Sequence, residues 1–192
     1  MTKTAGRNTR LPIAAILFIV FCLICNCAAA GAGQSRPDHW ATAVERDGLP
    51  NLHKVSDDLY RGAQPGKQGF AELKKLGIRT IVSFRRSKKD LKLLEGFDFK
   101  FVHIPVFAFF PKTKQFAQFL DLFADSANLP VFVHCKHGAD RTGAAVALYR
   151  IKIQNWEMDE AINEMVNGGF NFHRIHSHLK GFIRNFVRET GD

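Results

Sequence analysis

The apolar positions change their period several times along the chain, and each change marks an element. Residues 11–27 form one uncharged, mostly apolar run, and 31–50 are rich in Gly, Pro and charge. Beyond them, 52–55 and 59–61 carry the pattern of two short strands around the Ser56-Asp57-Asp58 turn. Phe70, Leu73 and Leu76 recur at helical spacing, predicting a helix over 66–76 that Gly77 closes. Residues 78–84 and 99–106 read as buried strands, with a short helix over 90–94 between them. Phe116, Phe119, Leu120 and Phe123 make 112–127 an amphipathic helix. A short apolar strand over 131–134 follows Pro130, and 142–153 is an apolar, alanine-rich helix suited to burial. Helices over 157–166 and 175–187 complete the chain, the first ending at Gly168-Gly169. Strands apolar on both faces and alternating with helices predict an α/β fold. It is a single domain with a mostly parallel central sheet flanked by helices on both faces.

Composition narrows this without changing it. The 192 residues are 46% hydrophobic and 23% charged, which fits a globular chain and excludes collagen-like or disordered ones. No repeat marks a solenoid or propeller. Lys3, Arg7 and Arg10 precede the apolar run, and Ala28-Ala29-Ala30 supplies the small residues of a cleavage site. The first reading of 1–30 is therefore a Sec-type signal peptide cut near Ala30. The alternative is a retained membrane anchor, because 11–33 is uncharged and long enough to span a bilayer. Asn26 before Cys27 disfavours a lipoprotein site. Each reading exports the domain, which would be periplasmic, secreted or anchored in the inner membrane. The organisation is then a leader over 1–30, a linker over 31–50 and a folded domain over 51–190.

Losing the leader lowers the net charge from +9 to +6. No stacked basic-aromatic array accompanies that charge, so nucleic acid is not an expected partner. Cys22, Cys25 and Cys27 fall within the apolar run, which leaves Cys135 alone in the domain without a disulfide partner. A free thiol in an oxidising compartment is a liability, so its presence there points to chemistry.

Cys135 lies in the segment Val131-Phe132-Val133-His134-Cys135-Lys136-His137-Gly138-Ala139-Asp140-Arg141-Thr142-Gly143. An apolar strand leads in, glycine sits inside the loop, and an apolar helix leads out. A loop entering a helix amino terminus turns backbone N–H groups inward, and the helix dipole adds positive potential, so a phosphate dianion binds readily. Arg141 can clamp two phosphate oxygens with its fork. The same field favours a Cys135 thiolate able to attack phosphorus. Gly138 permits the tight backbone. His134 holds the loop through hydrogen bonds, and Thr142 can donate its hydroxyl to the sulfur.

The sequence His-Cys, five residues, then Arg-Thr-Gly resembles the signature of the cysteine-dependent protein tyrosine and dual-specificity phosphatases. Upstream, Leu59-Tyr60-Arg61-Gly62-Ala63-Gln64-Pro65, Leu76-Gly77-Ile78 and Ile81-Val82-Ser83-Phe84-Arg85 resemble the compact bacterial members. They are also similar to atypical plant and fungal enzymes, some of which act on inositol pyrophosphates. The resemblance covers about 50–187. It implies a cysteinyl-phosphate intermediate with Cys135 as nucleophile and Arg141 as phosphate ligand, no metal and no cofactor. The substrate it implies is a phosphorylated protein or a small anionic phosphorylated molecule.

One departure stands out. The family's general-acid Asp usually occupies a loop that here reads Pro105-Val106-Phe107-Ala108-Phe109-Phe110-Pro111-Lys112, without a carboxylate. Asp140 is the substitute candidate, at a loop position that also resembles the myotubularin phosphatases. Its alternative role is to brace the loop. Candidate substrate contacts are Lys136, His137, Gly138 and Ala139, with Arg85 beyond a strand's carboxyl end. Solvent exposure is the alternative for Lys136 and His137, and a solvated turn for the Arg85-Arg86-Ser87-Lys88-Lys89 run. Phe107, Phe109 and Phe110 read as core packing ahead of a lid or a membrane-touching patch. His173, His176 and His178 read as a solvated helix start, since no zinc spacing is present. A catalytically dead phosphate-binding module, a sulfurtransferase and an arsenate reductase are the remaining rivals.

Overall fold

The computed structural model describes residues 36–191 except Lys89. The predicted leader and the first residues of the predicted linker lie outside them. Six strands form one sheet: β1 (Thr42–Ala43), β2 (His53–Lys54), β3 (Leu59–Gly62), β4 (Thr80–Ser83), β5 (Lys100–His103) and β6 (Val131–His134). Their order is β1-β2-β3-β6-β4-β5. Pairing is antiparallel between β1, β2 and β3 and parallel from β3 through β6 and β4 to β5. Helices are α1 (Lys67–Lys75), α2 (Asp90–Leu93), α3 (Thr113–Leu120), α4 (Asp140–Lys152), α5 (Met158–Asn167) and α6 (His178–Thr190). The fold is the α/β sandwich that the alternating pattern predicts.

Strand β6 sits at the centre because it is apolar on both faces. Val131 and Val133 join the larger core with Val82, Ala144, Leu148, Ile183 and Phe186. Phe132 points the other way, into a second core with Phe70, Leu73, Ile78 and Ile81. All three β6 side chains are fully buried, each contributing roughly 1.5–3 kcal/mol of transfer free energy. Centring this strand places its carboxyl end, and therefore Cys135, between two parallel neighbours. That is where open α/β sheets bind ligands.

Most predicted elements shift by a few residues at their ends, and three changes go further. The segment predicted as linker to residue 50 instead starts the domain. Trp40, Ala41 and Leu49 are buried, and Thr42–Ala43 pairs with His53–Lys54. Few apolar residues sufficed, because the β2 edge was open. The helix predicted over 112–127 stops at Leu120 and continues as 3-10 turns, Asp121–Ala124 and Ser126–Asn128. There the Ala127 N–H donates to the Asp125 side chain at 2.9 Å and opens a new turn. The last predicted helix divides into a 3-10 turn, Arg174–His176, and α6. Among the described residues, no helix is long and apolar enough to cross a membrane.

Candidate active site

From β6 the chain passes through Cys135 into a loop that enters α4 at Asp140. Cys135 is a buried free thiol. Three successive loop carbonyls are held from outside. The Gln64 N–H donates to Lys136 O at 3.3 Å, Asn51 Nδ2 to His137 O at 2.9 Å, and Arg61 Nη2 to Gly138 O at 2.7 Å. In a trans peptide the N–H points opposite to the C=O. The N–H groups of His137, Gly138 and Ala139 are thus turned away from those anchors, and none has an acceptor among the described residues. With the amino terminus of α4 behind them, they form an anion cradle.

Gly138 lies at φ +72°, and a Cβ there would stand 2.4 Å from the Gly62 carbonyl carbon. No side chain fits, so the loop rests directly on the end of β3. Arg61 is fully buried, and its guanidinium lies 3.7 Å from the Phe170 ring centroid. Arg141 Nη1 donates to Phe84 O at 3.1 Å and Val106 O at 3.3 Å. The rest of its fork has no partner among the described residues. The guanidinium is aimed by the ends of two strand segments and left with donors to offer.

His134 is fully buried, and its Nδ1–H donates to Cys135 O at 3.1 Å. Burial, above all, lowers its pKa to about 4, so the ring is neutral at physiological pH. Asp140 accepts the His173 N–H at 2.9 Å on Oδ1, and His173 Nδ1 lies 2.9 Å from Oδ2 and 3.1 Å from Oδ1. Lys136 and His137 are exposed at the mouth, and Ala139 is buried. Partial burial, then the charges of Lys136 and His173, lower the pKa of His137.

Three expectations change. Thr142 makes no hydrogen bond to the sulfur: its hydroxyl is buried without a partner among the described residues. The position lies about 100° round the helix from Arg141, which turns it into the core. Arg85 is held by a buried carboxylate, its Nη1 3.2 Å from Asp90 Oδ1. Asp90 also accepts from Ser83 Oγ and Gln64 Nε2. Phe107, Phe109 and Phe110 are not core residues. They are 46%, 43% and 71% exposed, because their loop follows the edge strand β5 and has no outer layer. Phe109 packs instead on His176 and His178, with centroids 4.8 and 5.7 Å away.

Arg61, Asn51, Gln64, Asp90 and His173 were not singled out from the sequence as site residues. Arg61 and Gln64 do lie in the Leu59-to-Pro65 stretch that carries the family resemblance, which was the signal available. Among the described residues, no cluster of His, Cys, Asp or Glu has the makings of a metal site.

Comparison with known proteins agrees with this geometry. Residues 40–180 match the family model described as a DSP-PTPase phosphatase fused to NAD+ kinase. The chain is 38% identical over 162 residues to the dual specificity protein phosphatase TpbA of Pseudomonas aeruginosa, spanning 84% of this chain and 72% of that protein. A crystal structure of a cysteine-to-serine variant of TpbA in complex with phosphotyrosine matches with a TM-score of 0.69. The identity there is 31%, over 81% of this chain and 98% of that one. The inositol diphosphatase DSP3 of Arabidopsis thaliana is 29% identical over 123 residues, covering 59% of this chain and 60% of that protein. The family model and the TpbA identity show that this chain belongs to the dual-specificity and tyrosine phosphatase family, and it is a cysteine-dependent phosphatase.

Proposed function

We propose that the protein hydrolyses phosphomonoesters of phosphorylated proteins, phosphotyrosine foremost, in two steps centred on Cys135. The Cys135 thiolate attacks phosphorus, the S–P bond forms, and the ester P–O bond breaks as its oxygen takes a proton. Water then cleaves the S–P bond and releases phosphate. Throughout, the N–H groups of His137, Gly138 and Ala139 and the unengaged donors of Arg141 hold the non-bridging oxygens. Lys136 and His137 meet the anionic substrate at the mouth. The observation that carries this reading is the set of three loop carbonyls pinned outward by Gln64, Asn51 and Arg61. The kinship to TpbA supports a protein substrate, and the kinship to DSP3 supports inositol pyrophosphate as the second reading.

A panel of phosphotyrosine peptide, phosphoserine peptide, phosphoinositide and inositol pyrophosphate tests the assignment. A phenolate, with a pKa of about 10, leaves more easily than a serine alkoxide. The expected order therefore puts phosphotyrosine above phosphoserine. Preference for inositol pyrophosphate moves the assignment to the second reading, and no turnover of any substrate supports a dead binding module.

We also propose that the amino-terminal leader exports the domain. Its basic start, apolar run and Ala28-Ala29-Ala30 support this reading. Amino-terminal sequencing of fractionated protein should find a start near Gly31 outside the cytosol. Full-length protein in the cytosol contradicts it.

A further inference from the structure

The loop that usually supplies the family's proton donor has no carboxylate here, and Asp140 does not stand free to replace it. Its side chain is 10% exposed, and His173 bonds both of its oxygens. Both oxygens are thus occupied by His173, the backbone N–H on Oδ1 and ring Nδ1 on Oδ2, and not left open to a leaving group. His173 is placed differently. Its side chain is 46% exposed, and its ring lies 5.5 Å from His137 on the Cys135 loop. With Nδ1–H donated to Asp140, its Nε2 is left without a hydrogen-bond partner among the described residues.

We infer that His173, oriented by Asp140, is the general acid of this phosphatase. The inference rests on the thiolate reading above. In the first step, as the S–P bond forms, the P–O bonding pair passes to the leaving oxygen, which takes the proton from His173 Nε2. In the second step the neutral Nε2 accepts a proton from the water that attacks the phosphocysteine. Sulfur leaves as thiolate, and the imidazolium is restored. Asp140 serves as the positioning residue, fixing the tautomer and steadying the cation. The charged and titratable neighbours are Asp140, bonded to the imidazole from α4, His137 on the loop, 5.5 Å away, and His176 on the 3-10 turn, 6.4 Å away between ring centroids.

The test is kcat/KM on the full chain for dinitrophenyl phosphate, which needs no proton, against phenyl phosphate and phosphoserine peptide, which do. Wild type, His173→Ala, His173→Asn and Asp140→Asn are compared. The ratio between substrates does not depend on how much of each preparation is folded. His173→Asn keeps an N–H near the Nδ1 position but cannot titrate. Both His173 variants should lose on the order of 100-fold on the poor leaving groups and only a few-fold on dinitrophenyl phosphate. Wild-type kcat/KM on phenyl phosphate should fall on the basic side of its pH profile, and this limb should vanish in the His173 variants. Asp140→Asn should show a smaller selective loss. Equal losses on all substrates, rescue by His173→Asn, or a surviving basic limb each overturn the inference. A wild type inactive on every substrate overturns the thiolate reading itself, and this inference with it.

Discussion

Arg141 and Arg150 stand on the same helix, α4, and put the same guanidinium to opposite uses. Arg150 is 3% exposed and fully engaged. Its Nε and Nη2 grip the Glu164 carboxylate at 2.9 and 2.8 Å, and Nη1 donates to Gln154 Oε1 at 2.7 Å and Val55 O at 3.3 Å. Trp156 stacks on it, with its ring centroid 4.0 Å away. Glu164 in turn accepts the Ala41 N–H, tying the start of the domain to its helices. Arg141 is half-buried, held through one nitrogen by two carbonyls, with the rest of its fork open. The difference teaches that burial and charge do not identify a functional arginine. What distinguishes Arg141 is that the fold orients it without using up its donors.

Breaking each arginine should produce different failures. Arg150→Ala strands Glu164 as a buried unpaired carboxylate, and it should cost about 3–5 kcal/mol of stability. Thermal or urea unfolding reads that loss, while turnover per folded molecule stays near wild type. Arg141→Lys keeps the charge but loses the planar fork, so kcat/KM should fall on the order of 100- to 1,000-fold with little change in unfolding. Should Arg141→Lys unfold the protein, or Arg150→Ala abolish turnover per folded molecule, the contrast between them disappears.

His134 sharpens the comparison by pH. Its folded pKa is about 4, against an ordinary 6.5, so the unfolded chain takes up a proton that the folded chain refuses. Its contribution is present above about 6.5 and is lost as pH falls toward about 4, on the order of 3 kcal/mol in all. Urea midpoints for wild type and His134→Gln should converge on acidification across this window. Parallel curves would remove His134 from the acid response. The smallest effect belongs to the exposed rim. Phe110→Ser should change stability by no more than about 0.5 kcal/mol, whereas Phe116→Ala, fully buried, should lose about 3–5 kcal/mol. A large loss at Phe110 would mean that the rim is structural.

Much of this was legible in the sequence where a signal is local. The strand at Val131–His134 has its predicted bounds, and Cys135, Gly138 and Arg141 fall together because one strand, one loop and one helix hold them all. Partners from elsewhere in the chain were not legible. Asn51 and Arg61 reach the loop only because β2 and β3 pair beside β6, and His173 reaches Asp140 only through the packing of α5 on α4. The helix expected over 112–127 failed because apolar periodicity continues through 3-10 turns, which present nearly the same face. Phe107, Phe109 and Phe110 misled because hydrophobicity alone does not reveal that an edge strand leaves the next loop uncovered.

The most direct test of the central claim is to trap the covalent intermediate. An aryl phosphate mixed with enzyme and quenched in acid within one turnover should leave a phosphoryl group on the peptide containing Cys135, read by mass spectrometry. Cys135→Ser should neither turn over substrate nor form this adduct, yet should still bind phosphate analogues through the intact cradle. Turnover in wild type without phosphoryl on Cys135, or sustained turnover by Cys135→Ser, would contradict the account.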